Sequence, residues 1–235
     1  MNFRYYNYTL SVNGEAEQHG DVHEEDYLTD VIGKKAEIFL DTLEIDRNGD
    51  EQSNSFLMVL SFTAPHEHSW PSPQYDNHFL DRLAPRTPAF NYVDGINEHK
   101  HWLLRNSPLP LGPDTIPLID EQFQKRLRTL LSVDDVVDKI MTRLNDLGIL
   151  ENTFVLFTSD LGYHLGTFAM PVGRLLPYET GNNYLVVIKM RDFCHYINFN
   201  ILLVYRVLGV FINLHFRYPS SPFSTRAWSQ VERSQ

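Results

Sequence analysis

Cysteine is nearly absent from this 235-residue chain. Cys194 stands alone, so no internal disulfide can brace the fold, and cysteine pairing says nothing about the compartment. Positive charge is scarce as well: 20 Lys and Arg against 30 Asp and Glu give a formal net charge of −10. That balance excludes the basic stripe of a protein that tracks nucleic-acid phosphates. Internal repeats and low-complexity segments are missing. The opening Met1-Asn2-Phe3-Arg4-Tyr5-Tyr6 has neither the apolar run nor the small-residue cleavage site of a signal peptide. What is present is apolar substance, 43% of the residues, enough to bury the core of one large domain.

The shortage of base is uneven. Residues 1–180 hold 28 acids and 14 bases, whereas residues 181–235 hold 2 acids and 6 bases. The last stretch is therefore expected to be a tail unrelated to residues 1–180. Within it, residues 197–216 are apolar enough to suggest a membrane span. Arg206 near the middle would cost about 2.5–3.5 kcal/mol on insertion scales, and Asn200 and Asn213 weaken the case further. A span is not expected.

Periodicity divides the rest. The polar start, with Asn13-Gly14 as a turn, reads as a hairpin or loop. Tyr27, Leu28, Val31, Ile32, Ala36, Phe39, Leu40 and Leu43 recur at helical spacing. Residues 56–62 form a continuous apolar run of the kind that becomes a buried strand. From residue 67 to 117 the chain is rich in proline, histidine and aromatics without a period, and loops of that length are usually functional. Phe123, Leu127, Leu130, Leu131, Val133, Val137, Ile140, Met141, Leu144 and Leu147 mark a long amphipathic helix closed by Gly148. Residues 153–158 read as a second buried strand. Apolar strands separated by a helix predict an α/β fold with a parallel sheet, whose ligands sit beyond the carboxyl ends of the strands.

Both polar clusters fall at such ends. Asp160, followed by Gly162, can direct a carboxylate into a cleft as a ligand for a hard cation, or can cap a turn. His66, after Pro65, can bind an anion or deliver a proton, or stand solvated. Arg174 matches a tetrahedral oxyanion, or lies free on the surface. His99 and His101 have strand-neighbour spacing but no partner that would complete a metal site. Asp134-Asp135 fits a solvated or packing stretch of the long helix better than a site. Asn7-Tyr8-Thr9 is a glycosylation sequon, meaningful only in the secretory pathway.

Several stretches taken together carry a resemblance. They are Tyr5-Tyr6-Asn7-Tyr8-Thr9-Leu10-Ser11-Val12-Asn13-Gly14, His19-Gly20, Asp26-Tyr27-Leu28-Thr29-Asp30, Ala64-Pro65-His66 and Lys100-His101-Trp102-Leu103. Further along come Arg128-Thr129-Leu130-Leu131-Ser132-Val133-Asp134-Asp135 and Phe157-Thr158-Ser159-Asp160-Leu161-Gly162-Tyr163-His164. In order and spacing, residues 4–180 resemble the middle region of the glucosamine-6-sulfatases. The extracellular heparan endosulfatases are similar in the same stretches, and Leu150-Glu151-Asn152-Thr153 and Pro177-Tyr178-Glu179 lean toward them.

The resemblance implies an alkaline-phosphatase-like sheet sandwiched by helices, with calcium at the strand ends. It implies hydrolysis of sulfate esters on glucosamine units of heparan or keratan sulfate, a glycosaminoglycan substrate, in the lysosome or outside the cell. It also implies a formylglycine nucleophile made from the cysteine of a Cys-x-Pro-x-Arg motif. By the same resemblance Asp160 is a calcium ligand, His66 lies near the sulfate, His164 lies beside the site, and Arg174 stands where the family has a lysine.

Three departures matter. Leu161 replaces the neighbouring metal ligand and offers no oxygen. Arg174 keeps the charge but is no proton donor at physiological pH. No Cys-x-Pro-x-Arg occurs, since Cys194 lies in Phe193-Cys194-His195-Tyr196-Ile197. The chain is therefore expected to be an incomplete sulfatase, inactive by itself, with weak calcium binding. The alternatives are a non-catalytic binder of sulfated glycans and a piece of an extracellular endosulfatase.

Overall fold

The structure is a computed structural model and describes residues 4–43, 56–93, 99, 101–105, 109–173, 181, 186–189 and 200–205. It opens with a hairpin of β1 (Thr9–Val12) and β2 (Glu15–Gln18), joined at Asn13 (φ 55°) and Gly14 (φ 94°). Two successive left-handed residues make the primed turn whose twist matches antiparallel strands.

A single turn α1 (His23–Asp26) then leads through extended Tyr27 into α2 (Leu28–Asp41). Leu28, Val31, Ile32, Ala36 and Leu40 form the buried stripe of α2. Gly33 lies on that face because a Cβ there would come 2.8 Å from Val136 Cγ2, so the crossing with the long helix has no room for a side chain.

That long helix, α4 (Thr115–Asp146), follows the short α3 (Trp102–Arg105) and begins earlier than its apolar period suggests. Pro117 is accommodated in its first turn, where backbone N–H groups have no helical partner. Its other end is a Schellman motif: Gly148 N–H donates to Asn145 O (2.9 Å) and Ile149 N–H to Leu144 O (3.0 Å). Gly148 takes the left-handed φ of 73° that this stop requires.

Val133, Val136, Ile140 and Leu144 of α4 join Leu28, Ile32, Ala36 and Leu40 of α2, Tyr5, Tyr27 and the buried side chains of β3 (Leu57–Leu60) in the main core. The earlier half of α4 belongs to a second, smaller core of Ala84, Leu111, Ile119 and Ala169. Asp120 ties that core down, accepting two bonds from Arg86 (2.8 and 2.6 Å) and one from Ala84 N–H (2.8 Å). The aperiodic stretch after residue 67 is thus built largely on side-chain anchors.

The main sheet has the order β3-β6-β4-β5, with β4 (Thr153–Thr158), β5 (Val186–Lys189) and β6 (Asn200–Tyr205). β6 runs parallel to both β3 and β4, and β5 is antiparallel to β4. Two segments beyond residue 180 therefore belong to the same sheet as the residues before it. The part of 197–216 that is described is the strand β6, and among the described residues no helix is long and apolar enough to cross a membrane.

One cluster couples the hairpin to the helices. Glu17 meets Lys35 (2.8 Å) and His19 (2.7 Å), and the other ring nitrogen of His19 meets Asp26 (3.2 Å). Lys35 first, then His19, hold the Glu17 carboxyl below its ordinary value. Burial pushes Asp26 up, but the backbone N–H groups of Gly20 and Val22, with His19, outweigh it and leave this carboxyl low too. A carboxyl depressed in the folded state contributes stability above its unfolded pKa and loses it as pH falls through the folded value. The urea midpoint is therefore expected to drop as pH is lowered below about 4, and to drop less in Glu17→Gln and Asp26→Asn. Equal slopes in all three proteins would contradict the assignment.

Candidate functional site

Because β3 and β4 both run parallel to β6, their carboxyl ends share one edge of the sheet. The two chain segments that leave this edge carry the residues singled out by their chemistry. The first, 61–70, contains a cis Ala64–Pro65 peptide and left-handed His68 and Ser69 (φ 73° and 23°). Its course is held by hydrogen bonds. His66 N–H donates to Thr63 O (2.8 Å), Ser69 Oγ donates to Pro65 O (3.2 Å) and His66 O (3.0 Å), and Tyr5 donates to His66 O (3.3 Å). Tyr27 donates to Trp70 O (3.0 Å) and Arg126 to Pro65 O (2.7 Å). The imidazole of His66 is half-buried on this hydrogen-bonded segment.

The second segment, 159–173, carries half-buried Asp160 and buried His164. Gly162 N–H donates to Gly181 O (3.0 Å), and His164 pairs with Gly173 through N–H to O contacts of 2.8 and 3.4 Å. It is stapled to the 84–93 stretch as well, by Asn91 N–H to Gly166 O (2.8 Å) and Phe168 N–H to Ala89 O (2.7 Å). Gly166 has φ 87°, and a Cβ there would lie 2.6 Å from the Phe90 ring. Gly166→Ala meets both a left-handed penalty of about 1–2 kcal/mol and overpacking of about 1–3 kcal/mol. A loss of roughly 2–5 kcal/mol in chemical denaturation is expected; a loss under about 0.5 kcal/mol, the size of an ordinary surface change, would rule out this packing.

Other residues read as candidates fall differently. Arg174 lies outside the described residues, as does Cys194. Leu161 is half-buried and aliphatic. A calcium ion needs several oxygen ligands, and among the described residues no group of three or more His, Cys, Asp or Glu is arranged so that it could hold a metal ion. Asp160 with aliphatic Leu161 beside it does not fit a calcium site. His99 and His101 are exposed. Asp135 accepts a 2.5 Å hydrogen bond from Tyr75, which raises the Tyr75 pKa, so that acid joins α4 to the 72–76 turn. Asn7 is exposed, with φ 53°.

Two residues at this edge escaped the reading of candidates. Tyr163 lies inside the motif Phe157-Thr158-Ser159-Asp160-Leu161-Gly162-Tyr163-His164, whose pattern gives it no role. Arg126 looked like any polar position on an amphipathic helix, yet its guanidinium covers the Tyr163 ring at 3.8 Å while bonding Pro65 O.

Comparison with known proteins gives this geometry a context. The sequence model of the Sulfatase family matches residues 3–189. N-acetylglucosamine-6-sulfatase of Bos taurus is 45% identical over 178 residues, covering 76% of this chain and 30% of the relative. The extracellular sulfatase SULF-1 homolog of Drosophila melanogaster is 35% identical over 179 residues, covering 76% of this chain and 15% of the relative. A solved structure in complex with its substrate, D-glucosamine-2-N,6-O-disulfate, superposes with a TM-score of 0.60 at 20% identity, covering 79% of this chain and 46% of that one. The likeness establishes an α/β, alkaline-phosphatase-like fold. The chain spans about 30% of the length of the N-acetylglucosamine-6-sulfatases it matches.

Proposed function

From the premise that this chain belongs to the sulfatase family, we propose that residues 1–180 form the central part of a catalytic domain for sulfate-ester hydrolysis. The substrate is the 6-sulfate of N-acetylglucosamine units in heparan or keratan sulfate, in glycosaminoglycan breakdown in the lysosome or outside the cell. One observation carries the reading: two segments bearing His66, Asp160 and His164 leave the same sheet edge and are joined by Arg126. The 45% identity to an N-acetylglucosamine-6-sulfatase supports the choice of sugar.

In this reading His66 and His164 hydrogen-bond the sulfate and the ester oxygen, and one of them protonates the leaving alcohol. Arg174 supplies fixed positive charge to the sulfate and leaves the proton to the histidines, since a guanidinium does not release one. Asn7, exposed within its sequon, carries a glycan when the chain passes through the secretory pathway. Expression behind a secretion leader is expected to give a glycan mass that Asn7→Gln abolishes.

A second reading is favoured by the lack of a Cys-x-Pro-x-Arg motif: binding of sulfated glycans without turnover. Both readings require recognition of the sulfate. N-acetylglucosamine 6-sulfate is expected to bind in calorimetry where N-acetylglucosamine does not. His66→Ala and His164→Ala should each weaken binding roughly 10- to 100-fold, the worth of a hydrogen bond to a charged group. Equal binding of the sulfated and plain sugars would overturn both readings.

A further inference from the structure

The geometry points to Arg126 as the positioning residue that sets His66 and His164 relative to each other beyond the strand ends, an inference that rests on the proposed function. Two of the contacts this side chain makes differ in kind. One N–H donates to Pro65 O at 2.7 Å, and the guanidinium carbon lies over the Tyr163 ring, 3.8 Å from its centroid. Pro65 immediately precedes His66, and Tyr163 immediately precedes His164. One cation therefore grips the residue before each histidine, across two loops about a hundred positions apart in the chain.

The base of this strap is rigid. Arg126 projects from α4, a 32-residue helix whose later half is buried in the main core and whose earlier half belongs to the second core. Its neighbours do other work. Lys125 pairs with Glu121 four residues back (2.6 Å), and buried Arg128 donates to Asp76 O (2.7 Å). Only a planar guanidinium combines an edge donor with a face that stacks on an aromatic ring; an ammonium supplies the charge without the plane. Groups that must meet a substrate within a fraction of an ångström need such second supports, because a loop carrying one histidine otherwise wanders independently of the other.

The test uses the whole chain, with N-acetylglucosamine 6-sulfate as probe, at a temperature where circular dichroism shows every variant folded. Arg126→Met is expected to weaken binding about tenfold or more, in line with loss of a charged hydrogen bond, with Arg126→Lys intermediate. Tyr163→Leu should match Arg126→Met, Tyr163→Phe should stay within about twofold since the ring is kept, and the Arg126→Met/Tyr163→Leu pair should be no worse than either alone. The ring resonances of His66 and His164 should move in Arg126→Met while those of His19 and His99 stay in place. A wild-type chain that fails to bind, with these two resonances still shifting together, would sink the proposed function and uphold the strap. Undiminished binding in Arg126→Met, or a lower melting temperature with the His66 and His164 resonances unmoved, would overturn the strap and leave the proposed function standing.

Discussion

Incubated with N-acetylglucosamine 6-sulfate, this 235-residue chain is expected to release no sulfate above buffer, even after co-expression with the machinery that converts cysteine to formylglycine. The reason is chemical. Two histidines and an arginine can bind a sulfate ester, and a histidine can protonate its leaving alcohol, but the proposed reaction needs a nucleophile at sulfur. The sole cysteine, Cys194, is followed by His195-Tyr196-Ile197 in place of a Cys-x-Pro-x-Arg motif. Removing the nucleophile from an enzyme that acts through a covalent step costs on the order of 10⁶-fold in turnover, which places the residual rate below routine detection. Sulfate release that persists through purification and vanishes in His66→Ala would show that a different group attacks, and would overturn this expectation. Release that is unchanged in His66→Ala would point to a contaminating enzyme.

The second large effect is structural. Tyr27→Ala should destabilise the chain by about 3–5 kcal/mol, the usual range for deleting a large buried aromatic. Tyr27 is fully buried at the joint between α1 and α2, with Tyr5, Tyr6 and His23 rings 5.2–6.0 Å from its own. Burial pushes its pKa up to about 12, so the hydroxyl stays a donor to Trp70 O across the accessible pH range. Tyr27→Phe keeps the ring and loses the hydroxyl with its bond to Trp70 O, worth about 1 kcal/mol. The contrast between the two variants in urea unfolding is the measurement. A Tyr27→Ala protein within about 1 kcal/mol of wild type would mean that the cavity collapses and the joint is not a keystone.

Tyr27 also shows how far a one-dimensional reading reaches. Its place at the head of a helical stripe was visible, because Leu28, Val31, Ile32 and Ala36 repeat at the helix period and burial follows periodicity. That its hydroxyl would hold the loop of His66, 43 positions away, was not, because no local pattern encodes a bond to a distant backbone carbonyl. The strand at Thr153–Thr158 was legible residue for residue, being short, apolar and bounded by polar turns. The start of α4 was misplaced, since Ile116, Leu118 and Ile119 lie among prolines and acids that hide the period; Ile119 is buried, whereas Leu118 is exposed. The change in charge beyond residue 180 was real, but composition does not report hydrogen bonding. Two strands there pair with β3 and β4 all the same.

From the sequence alone came the fold class, the pairing of apolar strands with a long amphipathic helix, and the residues at the strand ends, because period, turn chemistry and motif spacing are local properties. The missing nucleophile motif and the loss of a metal donor at Leu161 were also written there, since each is a matter of residue identity. The tertiary structure alone decided which distant residues support the two segments that follow β3 and β4. Parallel pairing through β6 put the two strand ends at one edge, Arg126 bridged the residues before His66 and His164, and Arg86 with Asp120 ordered a stretch without periodicity. Those contacts join positions tens of residues apart, and they exist only once the core has brought the helices and strands together.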